Sequence, residues 1–340
     1  MSTGHNLGLK RFVAAASIFA LGCGVSGPTP TDPSVPSVSS GTVVSLRSSE
    51  TDQPVAGAVI SLSGQSQAGV FSSVYTSNAA GQFALDRTVL LSSSPLLEVT
   101  APGFVVRSTI LRSDETTMSL WPASSPTGLD EAFSSTIAYS ASACPTVNTG
   151  QSALRRVGSS VSVVQVSFGP SIQDPAAEAA HQQAIVRLNA TLAGTPRYEF
   201  TGAPTGGVVS FVAEIDPNHS TCTAGSEPLR AATELIFANG NISGGRLVYC
   251  TIAAARSAGL VLHELGHTVG LYHSSSTTDV MYCSTGRPGE FSARERLVMK
   301  LIRQRRSGNR WPDNDRQVTA PLTLRARGTE VITCGGRVVP

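Results

Sequence analysis

The chain lacks three features that would each have indicated a class of protein. Its longest apolar run, residues 12–21, covers about ten residues, whereas a transmembrane helix needs about twenty. Its formal net charge is only +2, so Arg303, Arg305 and Arg306 are interpreted as favourable charges at a helix C-terminus and no nucleic-acid partner is expected. None of its six cysteines has the CxxC spacing of a metal site. A membrane-spanning helix, a nucleic-acid-binding surface and a CxxC metal site are therefore not predicted.

The start of the chain predicts export. Lys10 and Arg11 form a short basic segment, and residues 12–21 form the apolar core of a signal peptide. The segment ends in Ala-Leu-Gly-Cys and resembles a bacterial lipobox, in which Cys23 is lipidated and becomes the first mature residue. An ordinary secretory signal cleaved nearby is the alternative, which would release a secreted protein. The lipobox predicts a lipid anchor in the cell envelope, at the outer membrane or cell surface.

A tether and a small β-domain follow the signal peptide of residues 1–23. Residues 24–40 are rich in Pro, Ser and Thr and bury too little apolar surface to fold, so we expect a flexible tether. Strand-like runs separated by turn residues predict a small all-β sandwich over residues 41–122. The predicted strands are residues 42–46, 58–62, 70–76, 82–85, 96–100 and 105–111.

Turn motifs at residues 53–58, 78–83 and 101–104 resemble the carboxypeptidase regulatory-like, prealbumin-type domain. The resemblance implies that Gly57 and Gly81 lie at tight turns and that Phe83 is a core residue. It also implies a domain without catalytic residues of its own. We expect a spacer, with a binding module as the alternative.

Residues 263–273, HELGHTVGLYH, form the most specific pattern in the chain. Four residues apart on a helix, His263 and His267 share one face and can bind the same ion. Gly270 permits a sharp turn that returns His273 as the third ligand. Catalytic zinc usually has three protein ligands and one open position. Glu264 is then predicted to be the general base that takes a proton from zinc-activated water.

The motif continues through Ser274 and Asp-Val-Met-Tyr at residues 279–282, and it resembles the matrixin branch of the metzincin zinc endopeptidases. The resemblance implies an α+β catalytic domain over residues 127–340, with a mixed twisted sheet, an active-site helix, a methionine turn and a C-terminal helix. It further implies that Met281 forms the floor beneath the metal and that Tyr282 shapes the substrate pocket. Cys283 stands where some relatives have a tyrosine ligand, so no tyrosine ligand is assigned.

Other features of that family are missing. No PRCGxPD segment supports latency by a cysteine switch. His181 and His219 are too few for a second, structural zinc site; we expect His181 on a helix surface and His219 in a solvated turn. A structural calcium ion is compatible with the chain, but no residue pattern supports it.

Helix and strand patterns complete the catalytic domain. A helix opened by Asp174 is predicted over residues 174–192, the active-site helix begins at Thr251, and a capping box of Ser292 and Glu295 opens a last helix that ends near Arg305. The predicted strands are residues 161–168, 198–201, 208–215, 233–237 and 246–250. In such folds the strand nearest the cleft pairs with extended substrate, and residues 233–237 are predicted for that role.

The five cysteines beyond Cys23 all lie in the C-terminal half, at Cys144, Cys222, Cys250, Cys283 and Cys334. Export permits disulfides, so two bridges and one free thiol are expected, with the pairing open. Cys250 is placed to reach Cys222 or Cys283. A minor alternative makes Cys283 an inhibitory ligand of the zinc.

The sequence therefore predicts a lipid-anchored zinc endopeptidase that cleaves proteins or peptides outside the cytoplasm. The alternative is a non-catalytic envelope lipoprotein that binds a protein or glycan through its β-sandwich.

Overall fold

The computed structural model of the chain describes residues 42–66, 69–85, 95–112, 115–140, 152–194, 196–223, 230–284, 287–315 and 328–333. These residues form several β-sheets and few helices, a mixed α and β architecture. Cys23, the tether at residues 24–40, Cys144 and Cys334 lie outside the described residues. Within the described ranges, no helix is both long and apolar enough to cross a membrane.

The N-terminal part contains two sheets, one with strand order β4-β1-β7 and one with order β3-β2-β5-β6. Their strands are β1 (Thr42–Ser48), β2 (Val59–Ser66), β3 (Gly69–Thr76), β4 (Gln82–Leu85), β5 (Leu96–Thr100), β6 (Arg107–Ile110) and β7 (Thr117–Leu120). All six predicted strands are present. The prediction missed β7, which pairs in parallel with β1 from a distant part of the sequence.

Alternating side chains from both sheets share one hydrophobic core, as the period of two along each strand requires. Its buried residues include Val44, Leu46, Ile60, Leu62 and Phe83. Gly57 and Gly81 both have φ of 69°, a left-handed conformation that suits the predicted tight turns. The positions of the core and turns in this part therefore agree with the sequence pattern.

The C-terminal part contains a six-stranded sheet of order β13-β11-β12-β10-β8-β9. Its strands are β8 (Val163–Phe168), β9 (Arg197–Phe200), β10 (Val209–Ile215), β11 (Ala231–Ala238), β12 (Asn241–Tyr249) and β13 (Gly328–Thr333). Strands β8, β9, β10 and β12 run parallel to one another, and β11 is antiparallel to both β12 and β13. Residues 233–237, predicted to pair with substrate, are paired with β13 in this structure, so that edge of β11 is occupied.

The described helices are α1 (Glu131–Tyr139), α2 (Pro175–Leu192), α3 (Ser220–Thr223), α4 (Ile252–Ala255), α5 (Ala258–Thr268) and α6 (Ala293–Arg303). Asp174 caps α2 and the capping box of Ser292 and Glu295 opens α6, both as predicted. The continuous helix predicted from Thr251 is instead two helices. Thr251 caps only α4, and Ser257 has extended backbone angles that separate α4 from α5.

Buried charges join the end of α6 to the N-terminal β-structure. The Arg305 guanidinium contacts Asp313 at 2.7 Å and donates to the carbonyl oxygen of Ser119 on β7 at 2.9 Å. Both ionised side chains are fully buried. The described N-terminal sheets and the described C-terminal part belong to one compact unit, and they pack directly against each other at this contact.

Candidate metal centre

Helix α5 carries the first two histidines of the motif and the glutamate between them. His263, Glu264 and His267 have no exposed surface, and neither does His273. The helix ends at Thr268, and Gly270 follows with φ of 101°. A Cβ atom at Gly270 would lie 1.9 Å from the carbonyl oxygen of Arg155, so only glycine fits this turn. The turn brings His273 back toward the helix, as predicted.

Hydrogen bonds to carbonyl groups set the tautomers of the two helical histidines. Nδ1 of His263 lies 2.7 Å from the Val280 oxygen, and Nδ1 of His267 lies 2.7 Å from the Leu271 oxygen. A carbonyl oxygen only accepts, so each Nδ1 carries the hydrogen and each Nε2 of a neutral ring carries a lone pair. This is the form in which imidazole binds a metal.

Burial keeps these rings neutral. It holds the pKa of His263 well below its usual value, with a smaller effect from the Arg287 charge. Burial also lowers the pKa of His267 to about 4, against a weaker opposing effect from its hydrogen bond to Leu271. Desolvation penalises the charged form of a histidine, so neither ring holds a second proton near neutral pH.

The three rings converge on one point. The ring centroids of His263, His267 and His273 are separated by 4.8 Å, 5.2 Å and 4.8 Å. Their ligand atoms all lie within 4.8 Å of one another, and the two helical Nε2 atoms are 3.2 Å apart. Two lone pairs at this distance repel unless a cation lies between them. The triad could therefore hold a metal ion.

Thr233 on β11 holds the glutamate of the motif. Its hydroxyl donates to the Glu264 carboxylate, with Oγ1 and Oε2 2.7 Å apart, and Oγ1 lies 3.1 Å from the Glu264 carbonyl oxygen. Both residues are fully buried. A hydrogen bond of this length in a buried site is directional, so Thr233 fixes the orientation of the Glu264 side chain.

Met281 packs directly beneath α5. A Cβ atom at Gly266 would lie 2.3 Å from the Met281 sulfur, so the glycine allows the thioether to approach the helix. Met281 is fully buried, and Tyr282 is partly exposed beside it. The structure thus places the Met281 side chain against the α5 backbone at Gly266, the residue before His267.

Glu295 holds the backbone of this methionine segment. Besides completing the capping box, its carboxylate accepts from the N–H groups of Val280 and Met281, at 3.2 Å and 2.7 Å. Burial raises the pKa of Glu295 to about 7, against the opposing effect of these hydrogen bonds. The Val280 carbonyl oxygen in turn accepts from His263. Val280 alone therefore connects Glu295 of α6 to the metal centre.

A second network holds the segment after the third histidine. The Ser274 hydroxyl donates to the buried Asp279 carboxylate, which also pairs with Arg294 of α6. The Ser274 N–H donates to the Met281 carbonyl oxygen at 2.7 Å. This network orients His273 and Met281 relative to each other.

Two histidine predictions were wrong. His181 is fully buried, with Nδ1 2.8 Å from the Ala177 oxygen and Nε2 3.0 Å from the Tyr249 hydroxyl. Its helix packs against the sheet on the face that carries His181. The side chain of His219 is only 10% exposed, because it pairs with Glu234 at 3.1 Å. Neither lies with the histidine triad.

The disulfides decide one open pairing. Cys222 bonds to Cys250, one of the two alternatives that the sequence left open, and ties α3 to the end of β12. Cys283 is also disulfide-bonded. Its sulfur is therefore not a thiolate ligand, and the alternative of an inhibitory cysteine at the metal is wrong.

Sequence reasoning missed Thr233 and Gly266. Thr233 was assigned to substrate pairing, but its side chain contacts Glu264 from a strand distant in sequence, and no local pattern reports such a contact. Gly266 did carry a signal: a glycine inside a helix is unfavourable by about 1 kcal/mol and often marks close packing.

No protein-family model and no curated protein matches the chain.

Proposed function

We propose that the protein is a zinc-dependent endopeptidase that cleaves proteins outside the cytoplasm. The observation that carries the proposal is the buried convergence of three imidazoles, together with the Glu264 carboxylate that follows His263 on the same helix and is held by Thr233. A purely structural metal site would need no fourth, acidic group at this position. The HExxHxxGxxH spacing and Met281 beneath the helix support a site of metzincin type.

The donor set fits zinc. Three nitrogen ligands suit a catalytic zinc ion, which keeps one position open. With zinc–nitrogen bonds of about 2.0–2.1 Å, tetrahedral ligands lie roughly 3.3 Å apart. The two helical Nε2 atoms are 3.2 Å apart, close to that distance. His263, His267 and His273 would hold the ion.

Zinc supplies Lewis acidity, which activates water and polarises a peptide carbonyl. The residues around it supply proton transfer and orientation. Glu264 accepts a proton from the attacking water and passes it to the leaving amine nitrogen. Thr233 holds the carboxylate in place for both transfers, and the Val280 and Leu271 carbonyls hold the ligand tautomers.

The proposed location and substrate rest on the signal-peptide and lipobox pattern at the start of the sequence. We propose that lipidation of Cys23 anchors the enzyme in the envelope, where its substrates are proteins or peptides. Tyr282, partly exposed beside Met281, is proposed as part of the wall that contacts substrate.

Two variants separate metal binding from catalysis. Glu264→Gln keeps the shape of the side chain but removes its basicity, so we expect about one zinc per chain and loss of casein cleavage. His273→Ala removes a ligand, so we expect loss of both zinc and cleavage. Full cleavage by the Glu264→Gln variant would contradict the assignment of the general base.

A further inference from the structure

Strand β13 lies along the edge of β11 next to the proposed site. It pairs antiparallel with β11 over residues 232–237, and Ile332 is opposite Thr233. Thr233 is the residue that contacts the Glu264 carboxylate. β13 therefore passes beside the proposed general base.

The site is closed in this arrangement. The three histidines and Glu264 have no exposed surface. A peptidase, however, must bring a peptide carbonyl within reach of the metal and of the glutamate. An extended peptide binds most readily by adding a strand to a free sheet edge. The edge nearest Glu264 is that of β11, and β13 occupies it.

A side-chain tether also holds β13 at the metal centre. The Glu330 carboxylate accepts from the Tyr272 hydroxyl at 3.1 Å and lies 3.7 Å from the Arg155 guanidinium. Tyr272 directly precedes the third histidine, and the Arg155 carbonyl packs against Gly270. Glu330 thus connects β13 to the turn that positions His273.

The strand itself is only lightly buried. Gly328 and Thr329 are exposed, Glu330 and Val331 are half-buried, and only Ile332 and Thr333 are buried. A short edge strand with few buried side chains opens at a lower free energy than the strands inside a sheet.

We propose that β13 is a displaceable inhibitory strand: it occupies the edge of β11 in the resting protein, and it must leave before an extended peptide can reach Glu264. The proposal rests on the proposed function. Activity is then limited by the fraction of molecules in which β13 is detached, since only that fraction binds substrate.

A disulfide between β11 and β13 would hold β13 in place and lower the fraction of molecules in which it is detached, and reduction would reverse this. Ile236 and Thr329 are direct partners on the two strands, and both are exposed. Directly opposed residues have Cα spacings within the range of disulfides. We expect that the Ile236→Cys/Thr329→Cys double variant, once oxidised, cleaves casein at least tenfold more slowly than either single variant. Equal rates in the locked and single variants would overturn the proposal.

Weakening the tether tests the opposite direction. Glu330→Ala removes the acceptor for Tyr272, so we expect kcat/KM per zinc-loaded molecule to rise roughly tenfold. Glu330→Gln keeps an acceptor and is expected to stay close to wild type. A Glu330→Ala variant whose β13 amides exchange faster, but whose kcat/KM does not change, would also overturn the proposal.

Hydrogen exchange separates failure of the strand from failure of the peptidase. We expect the amides of β13 to exchange by local opening, well before those of β12, in zinc-loaded protein. If zinc-loaded single variants cleave nothing, the proposed function fails. In that case early exchange of β13 still supports a displaceable strand, and exchange only with global unfolding overturns it.

Discussion

Replacing Thr233 by valine removes the hydroxyl that contacts two oxygens of Glu264 and little else. The two side chains have nearly the same shape, and valine is favoured in strands, so β11 should keep its pairing. The shorter of the two lost contacts is the 2.7 Å hydrogen bond from Oγ1 to the Glu264 carboxylate. Hydrogen bonds to charged groups contribute about 1.5–3 kcal/mol, and about 1.4 kcal/mol changes a rate tenfold. We therefore expect kcat to fall roughly 10- to 100-fold.

The assay is steady-state cleavage of a fluorogenic casein substrate, with zinc measured in the same samples. Because Thr233 acts through Glu264, we expect KM to change less than about twofold, and zinc to stay near one ion per chain. Thr233→Ser keeps a hydroxyl and should recover most of kcat. Wild-type kcat in the valine variant would refute the positioning role, and a serine variant as slow as valine would show that packing is responsible.

Two further predictions concern the turn after α5 and the buried histidine of α2. Gly270→Ala should lose zinc binding and unfold at lower temperature, because its Cβ would lie 1.9 Å from the Arg155 oxygen and its φ is 101°. Gly259→Ala, within α5 and with its nearest contact at 3.7 Å, should leave zinc content unchanged. Zinc loss in both variants, or in neither, would contradict this account of the turn. For His181, burial lowers the pKa from 6.5 to about 4, so the unfolded chain binds the proton more tightly. Its contribution to stability is complete above pH 6.5 and is lost as the pH falls toward 4, by about 3 kcal/mol in all. Denaturant unfolding of the wild type and His181→Phe across that range should show a weaker acid dependence in the variant, and identical acid dependence would contradict the burial of a neutral His181.

The sequence predicted those features that are formed by residues close to one another along the chain. Ligand spacing on one helix turn, a glycine at a left-handed turn and a capping box all involve residues within a few positions of one another. The histidine triad, Gly270 and the box at Ser292 therefore appear where the sequence indicates. The alternation of apolar residues likewise located six of the seven strands of the N-terminal sheets.

Contacts between distant segments were not accessible in the same way. β13 pairs with β11 from nearly a hundred residues further along the chain, and the sequence of neither strand predicts this pairing. The burial of His181 depends on which face of α2 meets the sheet. The contact of Thr233 with Glu264 depends on the same packing. The packing of distant segments determines the strand pairing, the burial of His181 and the Thr233 contact. It outweighs the local sequence, which favours a solvated histidine.

The most direct test of the account measures metal content and proteolysis together. Purified protein would be assayed for bound metals by mass spectrometry and for casein cleavage, before and after chelation and after zinc is restored. The account predicts about one zinc ion per chain, loss of cleavage on chelation and recovery with zinc. A protein that binds no zinc with His263, His267 and His273 intact would contradict it.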